Sequence, residues 1–340
     1  MGSPLDSAVG IALQAAKGTA ITMSSSFQYL LFERGTISPA EIQRAYGRLA
    51  GSLRSLPRGS IKTGVYSGGD IDFVGAPECV GWYLLGLMGE AASASENGTL
   101  YDHVFSFASD EFSLPYFTIR KRTAGLWHEQ FQDIRIASFT VSAPATDMVR
   151  FNVGMVGINP QKVANSDWAP ASYLDDGVPF LTCTATLTSP AYGTFKATNI
   201  TLVQTGAIAL DEEWIVGSYY PDDLTLGGRA FLIDCILHAT DEIFGKMVYD
   251  PDYVATTATW TPEILSDGAF ALQLDTQEDE PQSLAVAFDT ANNNIDWIMQ
   301  PVVIDGRVNK QLMRVIGTVK QSAGTQVAWT LTNDRSTDYA

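Results

Sequence analysis

The side chains that could run a reaction are few in this chain, and none falls at a working spacing. There are three histidines, His103, His128 and His238, and none has a second His or Cys where a zinc site would need it. No G-x-S-x-G elbow, phosphate-binding loop or G-x-G-x-x-G turn occurs. The run RGSIKTG (58–64) holds Gly, Lys and Thr without phosphate-loop spacing, and reads as a loop entering a strand. Adjacent carboxylates recur at Asp175–Asp176, Glu212–Glu213 and Asp222–Asp223. Such a pair could divide acid and base roles in a glycosidase, but neighbouring acids in turns are usually solvated. QEDEPQ (277–282) and DTANNNID (289–296) offer oxygen ligands for a divalent ion, yet neither follows the EF-hand pattern. The sequence therefore points to no catalytic residue and no cofactor, and the expectation is a protein that is not an enzyme.

The elements that remain to be positioned are mostly strands. Of the 340 residues, 46% are apolar and 17% charged, and long Glu/Lys-rich helical stretches are missing. Val149, Phe151, Val153 and Met155 alternate with Arg150, Asn152 and Gly154. Phe231, Ile233, Cys235 and Leu237 follow the same period, as do Phe270–Leu272–Leu274, Leu284–Val286–Phe288 and Val327–Trp329–Leu331. Period-two spacing puts one side of each strand on a core and leaves the other for solvent or a partner. Turns rich in Gly, Asp and Asn between such runs predict antiparallel sandwich or barrel domains. Two helices are expected: Glu78–Ala92, opened by Pro77, and Ser38–Gly51, with Ser38 as cap and Ile42, Ala45, Tyr46 and Leu49 as its stripe. Residues 158–179 lack periodicity and are rich in turn formers, which places a domain junction there: 1–165 with an N-terminal extension, then 166–340. The strand pair 131–144 and 148–157 is echoed by 194–206 and 229–241, which suggests internal duplication.

Charge is placed unevenly within a net −17. Residues 1–150 carry 14 acidic and 12 basic groups, whereas residues 201–300 carry 18 and 2. Such a chain repels phosphate and is no conventional nucleic-acid binder. The longest apolar run, Cys79–Gly89, is far short of the ~20 residues a membrane helix needs, and the N-terminus lacks the basic region of a secretory signal. Cys79, Cys183 and Cys235 are odd in number and far apart, so buried free thiols in a reducing cytoplasm are expected.

Taken in order, the segments form a recognisable set. LPRGSIKTGVYSGGDIDF (56–73) precedes APECVGWYLLGLMGE (76–90), then GTLYDHVFSF (98–107), SLPYFTIRKR (113–122) and FQDIRIASFTVSAP (131–144). TFKATNITLVQTG (194–206) leads to GSYYPDDLTLGGRAFLIDCILHATDEIFGKMVY (217–249), and VAWTLTND (327–334) closes the series. This order resembles the major tail tube proteins of long, non-contractile-tailed bacteriophages, over nearly the whole chain.

The resemblance implies two β-sandwich or barrel tail tube domains with a flanking helix, joined edge to edge into rings that stack as a tube for DNA passage. A doubled chain of this kind implies rings of three subunits with pseudo-sixfold symmetry, located in the virion tail and assembled in the host cytoplasm. Its partners would be further copies of itself and the tape measure, tail terminator and baseplate proteins, with no membrane. The acidic stretch then has a use, because an acidic lumen keeps DNA from sticking. Candidate lumen acids are Asp211, Glu212, Glu213, Asp241, Glu242, Asp275, Glu278, Asp279 and Glu280. Two long excursions, 50–69 and 209–228, read as arms between rings, with Leu56, Pro57, Arg58, Ile61, Trp214, Tyr219, Tyr220 and Pro221 as contacts. The competing readings are a tail terminator or decoration protein, or a carbohydrate-binding sandwich.

Overall fold

The computed structural model describes residues 7–21, 27–30, 32–48, 57–75, 77–108, 114–164, 178–189, 193–194, 197–210, 213–238, 246, 249, 264–266, 270–292, 294–300, 312–321 and 326–339. The chain opens with β1 (Ala8–Leu13), β2 (Gln28–Leu30), β3 (Arg34–Gly35), β4 (Ser38–Arg48) and β5 (Pro57–Val74). Helix α1 (Pro77–Met88) follows, then β6 (Gly89–Ala91), β7 (Ser95–Asn97), β8 (Leu100–Phe107) and β9 (Phe117–Thr123). Next come β10 (Trp127–Pro144), β11 (Arg150–Gly157) and β12 (Asn159–Val163). The rest of the chain supplies β13 (Leu181–Ser189), β14 (Gly193–Thr194), β15 (Ala197–Ala209), β16 (Thr225–His238), β17 (Leu265–Ser266) and β18 (Ala271–Asp275). It ends with β19 (Ser283–Phe288), β20 (Ile295–Met299), β21 (Leu312–Val319) and β22 (Val327–Asn333).

Two antiparallel sheets face each other. The larger has 14 strands, and its main path runs from β3 and β4 through β5, β11, β10, β15, β16, β21 and β20 to β17. β9 and β12 flank the first part of β10, with β1 and β2 beyond β9. The smaller sheet has eight strands in the order β14-β13-β18-β19-β22-β8-β6, with β7 on β8. Neither path closes on itself as a barrel. One core fills the space between them. Phe139 of the larger sheet meets Trp329 of the smaller at 5.8 Å, and Phe231 meets Phe288 at 5.2 Å. Each fully buried side chain of this size contributes about 1.5–3 kcal/mol.

Helix α1 lies in that core, with Cys79 through Met88 buried on every side, so it needs no polar face. Two glycines let neighbours approach its backbone: Tyr339 occupies the space a side chain at Gly81 would need, and Ile136 and Phe117 press on Gly86. Gly89 ends the helix at φ +89°, a left-handed conformation that glycine adopts without strain. Cys79 and Cys235 are buried and form no disulfide, while the Cys183 side chain lies outside the described residues. No described helix is long and apolar enough to cross a membrane.

The second expected helix is a strand. Ser38–Arg48 is β4, paired with β5 from Ser38↔Gly68 to Arg48↔Pro57. The spacing of Ile42, Ala45 and Tyr46 suits a helix, but those side chains gain no core there: Ala45 and Tyr46 are exposed. A ladder that pairs ten of its eleven residues with β5 outweighs that local pattern. Pro39 fits an edge strand, where a missing N–H is tolerated on the free side.

The strand order recurs. β4 and β5 pair as a hairpin, the chain leaves the sheet, and it returns as β10 and β11 with β11 beside β5. Likewise β15 and β16 pair, the chain leaves, and it returns as β20 and β21 with β21 beside β16. The sheet thus reads β4-β5-β11-β10, then β15-β16-β21-β20, alternating in direction throughout. The echo expected from sequence matched 131–157 with 194–241. Strand order instead sets β15–β16 against β4–β5, because any two alternating hairpins look alike until their neighbours are known.

Candidate functional site

The two long excursions are brought together. In the first, β4 and β5 continue as a twin-stranded hairpin well past the sheet body, with Tyr46 and Ile61 exposed near its end. Leu56 lies outside the described residues; Pro57 and Arg58 begin β5. The second, between β15 and β16, is a compact knot. Trp214 bridges to Pro221, the Asp222 N–H donates to Glu213 O at 2.7 Å, and the Thr225 hydroxyl donates to the Glu213 carboxylate. Gly217 turns the tip at φ +98°.

This second arm leans on the first. The Val65 N–H of β5 donates to Tyr219 O at 2.9 Å. Trp214 lies against Gly64, close enough that a Cβ there would stand 2.5 Å from the indole ring. The contact leaves Ile215, Val216 and Tyr219 pointing to solvent, Tyr219 at 67% exposure, while Pro221 is buried. An apolar cluster on a protruding arm is the kind of surface that a partner covers.

A buried polar foot holds the second arm from below. Gln14 Nε2 and the Gly18 N–H both donate to the Asp133 carboxylate, at 2.8 and 2.7 Å, and the Asp133 N–H donates to Gln14 Oε1 at 2.9 Å. Asp133 sits at φ +53°, inside a break in the β9–β10 register between Phe131 and Ile134. Next to this break, buried Arg135 donates from Nη1 to Leu224 O at 2.5 Å, and its guanidinium stands 4.3 Å over the Tyr116 ring. Tyr116 donates to Asp223, which also pairs with Lys17 at 3.3 Å. Burial pushes the Tyr116 phenol up, and the Asp223 carboxylate pushes it further. Burial alone would raise Asp223, but bonds from Tyr116 and the Leu224 N–H, with the Lys17 ammonium, hold it below the usual carboxylate range.

The larger sheet has an open face opposite the core. It carries Asp70, Asp72, Ser138, Thr140, Ser142, Arg150, Asn152, Thr201, Asp234, Asp296 and Arg314. Several charges here are paired. Arg314 grips Asp234 through Nε and Nη2, Lys320 meets Asp296 at 2.7 Å, and Arg150 meets Glu33 at 2.5 Å. Asn152 donates to Asp72. A shallow cleft of about 290 Å³ lies over β5, β11 and β10, between Arg150, Asp72 and Thr140.

The acids expected on a lumen are scattered. Glu213 belongs to the second arm, and Asp211, Glu212, Asp241 and Glu242 lie outside the described residues. Asp275, Glu278, Asp279 and Glu280 sit at the β18–β19 turn of the smaller sheet, where Glu280 accepts the Thr99 hydroxyl. The acids of the open face are not among those expected on a lumen, although Asp234 is legible: it alternates with Ile233 and Cys235, so it must face away from the core. Among the described residues no group of three or more His, Cys, Asp or Glu could hold a metal ion.

No curated protein matches the chain. The model of a family described as phage tail tube protein matches residues 4–235.

Proposed function

The chain belongs to the phage tail tube protein family, and from that premise we propose how its surfaces build a tube. It is a structural protein of the virion tail that assembles with copies of itself. Two tube domains, 1–165 and 166–340, each contribute one four-strand set to the larger sheet. Three copies join edge to edge into a ring with pseudo-sixfold symmetry. The open face lines the bore, and the paired arms reach the next ring.

The observation that carries this reading is the larger sheet itself, which runs unbroken through both sets and, among the described residues, ends in two unjoined edges. A strand edge is a template for another strand, and closure into a ring removes the aggregation hazard it poses. On this reading the acids that meet DNA are Asp70, Asp72, Asp234 and Asp296, and the cations Arg150, Arg314 and Lys320 are each engaged by a carboxylate. A phosphate passing down the bore then finds few free partners, which favours sliding over binding. The turn at 278–280 stands on the smaller sheet and serves solubility. Tape measure, terminator and baseplate proteins would meet the tube at its core and ends, and assembly would precede release from the host cytoplasm.

Negative-stain microscopy of the purified chain tests the reading, with light scattering across protein and salt concentration. Rings and tubes are expected, favoured by salt, since at ~0.15 M the screening length is about 8 Å and repulsion between acidic copies weakens. A chain that stays monomeric throughout would end the tube reading. Single rings that never stack would point to a terminator.

A further inference from the structure

We propose that one defined strand pair closes the ring: the β3–β4 edge of one copy against the outer side of β20 in the next, in the register that β10 and β15 already hold within each chain. This rests on the tube reading above and gives its ring contact a residue-level geometry.

The recurring strand order fixes which residues correspond. β5 and β11 set Phe73 opposite Phe151 and Ile71 opposite Val153; β16 and β21 set Leu237 opposite Met313 and Cys235 opposite Val315. All eight side chains are buried on the same face, so the two pairs superpose without a slip in alternation. On β10, Thr140 stands opposite Asn152; just past the end of β20, the Gln300 N–H donates to Arg314 O at 2.9 Å, so Gln300 takes the place of Thr140. Ser38 stands opposite Gly68, as Val203 stands opposite Leu232, so Ser38 takes the place of Val203. Thr140 and Val203 are direct partners across the junction between the two sets. The same junction between copies sets Gln300 opposite Ser38.

Among the described residues both edges are free to make it. Among the described residues β4 pairs with β5 alone, and β17 covers β20 only at Asp296 and Trp297. That leaves Ile298 to Gln300 open, as β9 covers the first part of β10 and leaves the rest to β15. On the free side of the β3–β4 edge, the Ile37 carbonyl accepts a bond from the Lys121 ammonium. A lysine on an edge guards it from wrong partners and can yield to a matching strand. Pro39 also faces that side, so the junction between copies has one donor fewer than β10–β15.

Within one chain the two edges stand seven strand spacings apart, roughly 34 Å along the sheet, far beyond the ~7 Å between Cα atoms that a disulfide spans. A disulfide between Ser38→Cys and Gln300→Cys can therefore form only between copies. The pair occupies a position where the main chains do not bond across the junction, which brings side chains closest. The double variant is assembled, oxidised mildly and run on a non-reducing denaturing gel, beside Thr36→Cys/Gln300→Cys, each single variant and the unaltered chain imaged as tubes. The expected result is a shift of most monomer into a closed covalent trimer for Ser38/Gln300 alone. Crosslinking of Thr36/Gln300 in its place, or of neither pair while the unaltered chain forms tubes, overturns the register and leaves the tube reading standing. An unaltered chain that forms no ring overturns both.

Discussion

The two arms occupy the same place in the recurring strand order, yet they are held in different ways. The β4–β5 arm is one hairpin whose main-chain ladder runs from Ser38↔Gly68 to Arg48↔Pro57. Its side chains add little; the Glu41–Lys62 pair is exposed. The 210–224 arm has few ladder bonds of its own. It depends on Trp214 over Gly64, on the Val65–Tyr219 bond and on the Arg135–Tyr116–Asp223 foot. A ladder is local and survives single changes, whereas a side-chain clasp fails when one member is lost. The first arm is thus a rigid post, and the second is set by reference to it.

Arg135→Met should break the contrast most strongly. The thioether keeps much of the volume but leaves Leu224 O buried without its donor, which costs about 1–3 kcal/mol. Calorimetry should record a melting temperature lower by a few degrees, and hydrogen exchange should quicken in 213–225 while the β4–β5 ladder keeps its protection. Equal loss of protection in both arms would show that the foot supports the whole end of the molecule.

Gly64→Val acts from the other side. Valine suits a strand better than glycine, so the first arm by itself should gain from the change. Any harm must come through Trp214, which the new side chain displaces together with Ile215, Val216 and Tyr219. The protomer should melt as before, while the protein concentration needed for tubes rises about tenfold, equivalent to ~1.4 kcal/mol per contact. Unchanged assembly would mean that the second arm does not touch the next ring.

What the sequence disclosed follows the same line. Helix α1 was legible because an apolar run opened by Pro77 has only one way to bury all its faces. Strands β11, β16, β18, β19 and β22 were legible from alternation, which is local. Strand β4 was not, because its fate is decided by a partner, β5, whose pull no window over 38–51 contains. The Trp214–Gly64 contact joins residues far apart in the chain, and nothing about either alone foretells the other. Asp234 lies between these cases: Ile233 and Cys235 imply its face, but acids are denser in the sequence at 275–280.

Acid should loosen the second arm before the first. Asp223 is held below the usual carboxylate range, so its contribution is present above about pH 4 and is lost as pH falls through its lowered value. A partly exposed pair of this kind is worth at most about 1 kcal/mol. Hydrogen exchange between pH 6 and 3 should therefore show protection of 213–225 falling at the acid end, and Asp223→Asn should flatten that dependence. If the variant keeps the full acid response, another group drives it.

The smallest effect is expected at Glu41→Gln. Glu41 is also held below the usual carboxylate range, first by its hydrogen bond from Lys62, so on direction alone it resembles Asp223. The surroundings differ: Glu41 and Lys62 stand in solvent on opposite strands of the hairpin, where a pair adds to a ladder that already fixes both ends. Screening and side-chain freedom leave such exposed pairs with little effect in most cases. Glu41→Gln should leave the melting temperature, tube length and exchange in both arms unchanged within error, and its only trace should be a weaker salt dependence of hairpin protection. A drop in assembly as large as that from Gly64→Val would show that the first arm's charged rim touches the next ring, and the roles of post and clasp would have to be exchanged.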